Sequence, residues 1–351
     1  MIFVIVDQNE RYVNLCYMTY YCVNCSGWRL FAIVLNVYSY LLVQAPSFLS
    51  KPKIQNSAFL NQVSVMVEND FRTILLAIDG SASCIRAREL VSLIGKKFGS
   101  KITVVHVISH DFMHPELKAQ YQLPPLILHK IDEVYLKSGE KILRTAEEAF
   151  KEDGLQVEPL LIRESEDPAD TILNLAKERG VDLIAIGNRA ETRAERFELG
   201  GVAEKIALFS RIPVLIAKKK TKLGKLLVAV DGSEQANKAL DYAYMLALRF
   251  KSKLTILHVA ETKLASLEPD AVKQISENIL SDAAARIKGV SVKKQLEYGS
   301  PAENIINVAR DDDYDLIVLG SRGLSSVKRF LMGSVSEDVS MHSRRSVLIV
   351  R

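Results

Sequence analysis

The 351-residue chain reads as an α/β protein of two tandem doubly wound domains, each a five-stranded parallel sheet with strand order 3-2-1-4-5. Three observations predict this. The sequence repeats itself once at domain scale. Within each copy, short apolar runs alternate with stretches of helical period. The runs are near-continuous Val, Ile and Leu rather than alternating, as parallel strands covered on both faces require.

The repeat organises the rest. ILLAIDGSAS (74–83) returns as LLVAVDGSEQ (226–235), and KITVVHV (101–107) as KLTILHV (253–259), both offset by 152 residues. SEDPADTI (165–172), VDLIAIGNR (181–189) and IPVLIAK (212–218) return at 298–305, 314–322 and 345–351, offset by 133. The first copy therefore carries nineteen extra residues, at about 109–128, expected as a variable surface loop. Each copy has the size of one domain. The boundaries expected are a leader at 1–65, a first domain at 66–218, a linker at 219–225 and a second domain at 226–351. The basic stretch 218–225 reads as a solvated connection.

In the second copy, strands are expected at 226–230, 254–259, 292–298, 315–320 and 347–350. Helices are expected near 234–249, 269–287, 301–311 and 334–342. An alternation of this kind implies an open sheet with helices on both faces, a Rossmann-like layout. Ser300-Pro301-Ala302-Glu303 carries a Ser N-cap, Pro at the first helical position and Glu three residues after the cap. Ser334-Val335-Ser336-Glu337 has the same capping-box spacing.

Composition bounds the function. The net charge of +4 is small for this length and argues against a dedicated nucleic-acid surface. The cysteines Cys16, Cys22, Cys25 and Cys84 form no framework along the sequence, which fits a reducing, cytoplasmic setting. His106, His110 and His114 are spaced by four, but His106 ends a strand and Pro115 interrupts a helix, so no metal face is expected. Cys16, Cys22 and Cys25 lack a fourth ligand nearby. The leader holds half of the twelve tyrosines and only six charged residues. It reads as a weak anchor, an extension, or sequence upstream of a start at Met66, with the last favoured.

The chemistry concentrates in the second copy. Gly320-Ser321-Arg322-Gly323 follows the fourth strand, and after nine intervening residues Gly333-Ser334 opens the last helix. That spacing brings backbone amides and a helix N-terminus to one corner, where an anion is favoured. Glycine there admits close approach; equally, the glycines could serve only a turn and Ser334 only a cap. Asp231 ends the first strand, at the crevice where doubly wound sheets bind ligands. Its carboxylate suits a ribose hydroxyl or an adenine donor, or else caps a helix.

Val-Asp-Gly-Ser after the first strand, with Gly-x-x-Gly-x9-Gly-Ser at the last strand–helix junction, resembles the ATP-binding subclass of the universal stress protein family. The resemblance spans residues 71–351 and occurs twice. It implies that Asp231 and Val259 contact adenosine, and that Gly320, Arg322, Gly323, Gly333 and Ser334 hold the phosphates of ATP, with or without Mg2+. It also implies pairing through the last strand, within the chain or in a homodimer, and a protein partner of unknown identity. The first copy departs from the motif: Ala190 stands for the second glycine, Gly201 for the serine, and Glu191, Glu195 and Glu198 intervene. Weak or absent ATP binding is expected there. No P-loop, Gly-x-Gly-x-x-Gly or Gly-x-Ser-x-Gly occurs. A nucleotide-dependent regulatory module is therefore expected ahead of a slow ATPase or phosphotransferase, or a nucleotide-independent scaffold.

Overall fold

Among the described residues, each copy builds five strands and four helices in strict alternation. The computed structural model describes residues 5–6, 12–13, 70–109, 124–165, 167–188, 199–219, 222–261, 268–323 and 332–351. It divides into two compact units, Met1–Ser57 and Ala58–Arg351. In the first, β1 (Ile5–Val6) and β2 (Tyr12–Val13) pair antiparallel. The other readings of the leader, with Cys16, Cys22 and Cys25, lie outside the described residues, as do His110, His114, Ala190, Glu191, Glu195 and Glu198.

The first copy comprises β3 (Thr73–Ala77), α1 (Ala82–Phe98), β4 (Lys101–Ser109), α2 (Pro125–Glu152), β5 (Val157–Ser165), α3 (Pro168–Glu178), β6 (Leu183–Gly187), α4 (Gly201–Phe209) and β7 (Val214–Ala217). The second comprises β8 (Lys225–Ala229), α5 (Glu234–Phe250), β9 (Lys253–Ala260), α6 (Pro269–Ala285), β10 (Val292–Tyr298), α7 (Pro301–Asp311), β11 (Leu316–Gly320), α8 (Ser334–His342) and β12 (Ser346–Val350). All ten strands form one sheet in the order β10-β9-β8-β11-β12-β7-β6-β3-β4-β5. Pairing is parallel within each copy and antiparallel only at the centre, where Leu348 of β12 faces Leu215 of β7.

Helices cover both faces, and the strands read as buried runs for that reason. Leu226 and Val228 enter the core under α1, α2, α5 and α6, while Leu227 between them enters the core under α3, α4, α7 and α8. The edge strands β10 and β5 are the exceptions, with Lys293, Lys294, Glu158 and Pro159 exposed, charges and a proline that keep an open sheet edge from pairing with other proteins. On the first face the copies also meet through aromatic rings. Phe71 lies 5.5 Å from Tyr242 and 5.6 Å from Phe98, which lies 6.5 Å from Phe250.

Three details depart from expectation. The extra residues of the first copy are not all loop: α2 starts at Pro125 and runs 28 residues against 17 for α6. Proline at the first position and a sustained apolar period let the protein add turns at the helix's N-terminal end. Second, Ser334 does not cap α8. Gly333 holds that position, Ser334 is already helical, and no hydroxyl or carboxylate bond caps the start. Ser300 does sit at the N-cap of α7, again without a hydroxyl bond.

Third, the connection between copies is not simply solvated. Lys218 is buried, and its Nζ donates to the carbonyls of Ser340 (2.5 Å), Ser343 (2.8 Å) and Met341 (3.2 Å) at the end of α8. Helix ends leave such carbonyls without intrahelical partners, and a cation meets both that need and the helix dipole. Arg351, at the equivalent place in the second copy, donates to the Ala207 carbonyl in the last turn of α4. Each copy thus sends its last cation to the other's last helix. Lys219 pairs with Asp313 at 2.8 Å, and Leu223 is fully buried.

Candidate functional site

The strands β8 and β11 lie side by side, and their carboxyl ends open into a cleft of about 580 Å3. That volume falls in the ordinary small-molecule range of roughly 300–1,000 Å3. Asp231, Val259, Gly320, Arg322, Gly323, Gly333 and Ser334 all line it. The fold brings them there from four places: the turn after β8, the end of β9, the end of β11 with its following loop, and the start of α8.

Asp231 leaves β8 two residues past its end. Its Oδ1 accepts the Ser233 amide at 2.9 Å, which orders the turn through Gly232, a residue at φ +84°. Ser233 caps α5, its hydroxyl accepting from the Ala236 amide at 3.1 Å. The capping task therefore falls to Ser233, and Asp231 turns its carboxylate toward Gly323. A Cβ at Gly323 would overlap the Asp231 Oδ2, so a larger residue there would displace the carboxylate it faces.

The other glycines have different causes. A Cβ on Gly320 would lie 2.7 Å from both atoms of the Gln235 backbone carbonyl, because the first turn of α5 crosses directly over the end of β11. Gly187 holds the same position against Ser83 in the first copy. Glycine at 320 is thus dictated by backbone packing. Around Gly333 the nearest atoms to a Cβ lie at 3.6 Å or more, so no protein neighbour demands glycine there.

The resemblance places Gly333 among the residues that hold the phosphates, yet its amide donates to the Ser321 carbonyl at 2.7 Å, and the Ser321 amide donates to the Val350 carbonyl at 2.7 Å. These bonds tie the loop to the last strand. The donors left for an anion are the first-turn amides of α8, at Ser334, Val335 and Ser336, which have no intrahelical acceptor. All three residues line the cleft. The Ser336 hydroxyl is committed to the Gly320 carbonyl at 2.6 Å.

Arg322 adds positive charge. It acts on Arg351, whose guanidinium is pulled down to about 10 by burial first and by the Arg322 charge second. Arg351 escapes sequence reasoning because nothing local ties the last residue to the loop after β11. His258 escapes it as well. It is buried in the cleft wall with Nδ1 at 2.7 Å from the Val230 carbonyl, which makes Nδ1 the protonated nitrogen. Met332, Val272 and Ile279 supply apolar walls, and Glu261 a second carboxylate at the rim. Only the tertiary fold brings α6 over this cleft.

The first copy has a matching cavity of about 520 Å3 at the ends of β3 and β6, with Asp79, His106, Gly187, Gly200 and Gly201 among its lining. No helix among the described residues is long and apolar enough to cross a membrane.

A doubly wound domain used twice in one sheet, each copy with a strand-end cleft between its first and fourth strands, defines a tandem α/β protein. The universal stress protein family model matches residues 70–218 and again 222–351, and the chain belongs to that family. It is similar to universal stress protein YxiE of Bacillus subtilis, 37% identical over 145 residues, covering 36% of this chain and 98% of that protein. Among solved structures it resembles a universal stress protein from Archaeoglobus fulgidus, with TM-score 0.60, 24% identity, and 80% and 98% of the two chains covered. It also resembles PA1789, a functionally unknown protein of Pseudomonas aeruginosa PAO1, with TM-score 0.58, 17% identity, and 82% and 94% covered. At these identities the structural likeness shows the fold.

Proposed function

We propose that this chain binds ATP in its second domain and acts as a nucleotide-dependent regulatory module in a stress response. One observation carries the proposal: Asp231 and the N-terminus of α8 line one cleft, with Arg322 between the strand end and the helix. An acid that takes hydroxyl or amine donors and a helix start that takes an anion suit the two ends of a nucleotide. The apolar walls from Val259, Val272 and Ile279 suit a base.

The residues fit the ligand. Adenosine would lie against Val259 and Asp231, and the phosphates against the amides of Ser334 and Val335, the Ser334 hydroxyl and Arg322. Mg2+ would enter with the nucleotide. The assignment is to binding and not to rapid hydrolysis: Asp231 stands at the nucleoside end with Oδ1 held by the Ser233 amide, a poor place for a base acting on water at the far phosphate.

The test is calorimetric titration of the full-length protein with ATP, with one nucleotide per molecule expected. Asp231→Asn keeps the shape and an acceptor for Ser233 while removing the charge. A normal ATP isotherm in that variant would remove Asp231 from the site, and no ATP binding by the wild-type protein would overturn the proposal.

A further inference from the structure

The start of α8 lines the second cleft, and its end is held by the other copy. Lys218 directly follows β7, the last strand of the first copy, and its Nζ donates to the carbonyls of Ser340 at 2.5 Å, Ser343 at 2.8 Å and Met341 at 3.2 Å. Lys218 is not among the described residues lining either cleft, so any effect it has on a ligand passes through α8.

Three features make α8 depend on that contact. The helix has nine residues, so its ends stand about 13 Å apart. It buries Ser336, Val339 and Ser340, whereas α4 buries Ala203, Ile206 and Ala207. Its start carries no side-chain capping bond. With Val339 as its buried apolar side chain, the helix is located by polar ties at its ends. At the start these are the Gly333 amide on the Ser321 carbonyl at 2.7 Å and the Ser336 hydroxyl on the Gly320 carbonyl at 2.6 Å. At the far end the tie is Lys218.

Lys218 is itself fixed in place. Its amide donates to the Ser346 hydroxyl at 3.2 Å, that hydroxyl reaches the Lys219 carbonyl at 3.4 Å, and β7 pairs with β12 alongside. The ammonium is buried, which pulls it down to about 7. Among the described residues no carboxylate meets its Nζ. The charged and titratable groups nearby in the chain are Asp338 and His342 on α8, Arg344 and Arg345 after it, and Lys219, with Asp313 pairing to Lys219 and Arg345. A cation on the last carbonyls cancels the negative end of the helix dipole and leaves the positive end unopposed. It also sets the direction in which the first-turn amides of Ser334, Val335 and Ser336 point. Arg351 makes the reverse contact, on the Ala207 carbonyl of α4, so an arginine can do the same task.

We propose that Lys218 is a positioning residue for the nucleotide of the second domain: the first copy clamps the end of α8 and thereby aims and polarises its start toward the phosphates. The inference rests on the second cleft being an adenine nucleotide site. The copies are then not independent binders, because the affinity of one depends on a cation supplied by the other.

ATP is titrated calorimetrically into the full-length wild type, Lys218→Met and Lys218→Arg between about pH 6 and about pH 9. Lys218→Met keeps an unbranched apolar stem and removes the charge. At about pH 6 it binds ATP about fivefold more weakly than the wild type, and Lys218→Arg stays within about twofold of the wild type. Toward about pH 9 the wild-type ammonium gives up its proton, so wild-type affinity falls toward that of Lys218→Met while Lys218→Arg does not follow. ATP and His342 titrate in all three proteins and cancel from the ratios. If Lys218→Met melts lower, the ratio of wild type to Lys218→Arg across the same range decides, because a helix that is only loosened gives no pH step there. Equal ATP affinity in wild type and Lys218→Met at about pH 6 overturns the proposal, and so does a wild-type to Lys218→Arg ratio that stays constant with pH. Failure of the second cleft as a nucleotide site is seen separately, as a missing ATP isotherm in the wild-type protein.

Discussion

Gly323→Ala tests the site with a single methyl group. An alanine Cβ at 323 would overlap the Asp231 Oδ2, while its other neighbour, the Asp231 Cγ, stays at 3.6 Å. The clash is with a carboxylate oxygen and not with backbone, so the carboxylate rotates or the loop withdraws. If the carboxylate rotates, its 2.9 Å bond from the Ser233 amide goes and the acceptor aimed at the nucleoside is displaced. A hydrogen bond to a charged group contributes about 1.5–3 kcal/mol. At about 1.4 kcal/mol per decade, ATP should bind about 10- to 100-fold more weakly. Gly323 is only half-buried and lies outside both hydrophobic cores, so folding should change little. Calorimetry measures the affinity and thermal melting the stability. Gly333→Ala is the companion, since its Cβ meets no protein atom closer than 3.6 Å, and it should melt like the wild type. ATP binding by Gly323→Ala within about twofold of wild type, at equal stability, would refute the pairing of Asp231 with this loop as the basis of the site.

Other predictions concern charge and burial. Burial pulls the Lys218 ammonium from 10.5 to about 7, with the three carbonyls at the end of α8 working against that pull. Between pH 7 and 10.5 the unfolded protein then holds the extra proton, so the stability Lys218 contributes rises with pH across that window, by at most about 1.4 kcal/mol per unit. Denaturant unfolding of wild type and Lys218→Met from about pH 7 to 10 should diverge upward for the wild type; parallel curves would show that Lys218 does not titrate there. Cys84, pushed up to about 12, should resist an aromatic disulfide reagent at about pH 8 until the protein unfolds, measured with Cys16, Cys22 and Cys25 each changed to Ser. Rapid labelling in the folded state would contradict the burial. Tyr314 is fully buried with its hydroxyl donating to Thr255 Oγ1 at 2.7 Å, so Tyr314→Phe should destabilise the fold by about 1 kcal/mol, read from denaturant unfolding.

The sequence alone determined the repeat, the alternation of strands and helices, and the residues at the ends of the first and fourth strands. These are local properties: apolar runs bounded by Gly, Ser and Asp report the strand ends directly, and the limits of α7, α8 and β10 follow from that punctuation. Tertiary structure decided what no local pattern encodes. Gly320 is glycine because another helix crosses it, a larger residue at Gly323 would displace a carboxylate far earlier in the sequence, and the Gly333 amide is taken by Ser321. Lys218 looks like part of a basic linker and is a buried helix cap, since its acceptors lie 122 to 125 residues away. Likewise, α6 and α2 wall the two cavities only once the sheet has formed. Local sequence specifies which groups can meet a ligand, but the steric and hydrogen-bonding partners that decide which of them remain available come from distant parts of the protein.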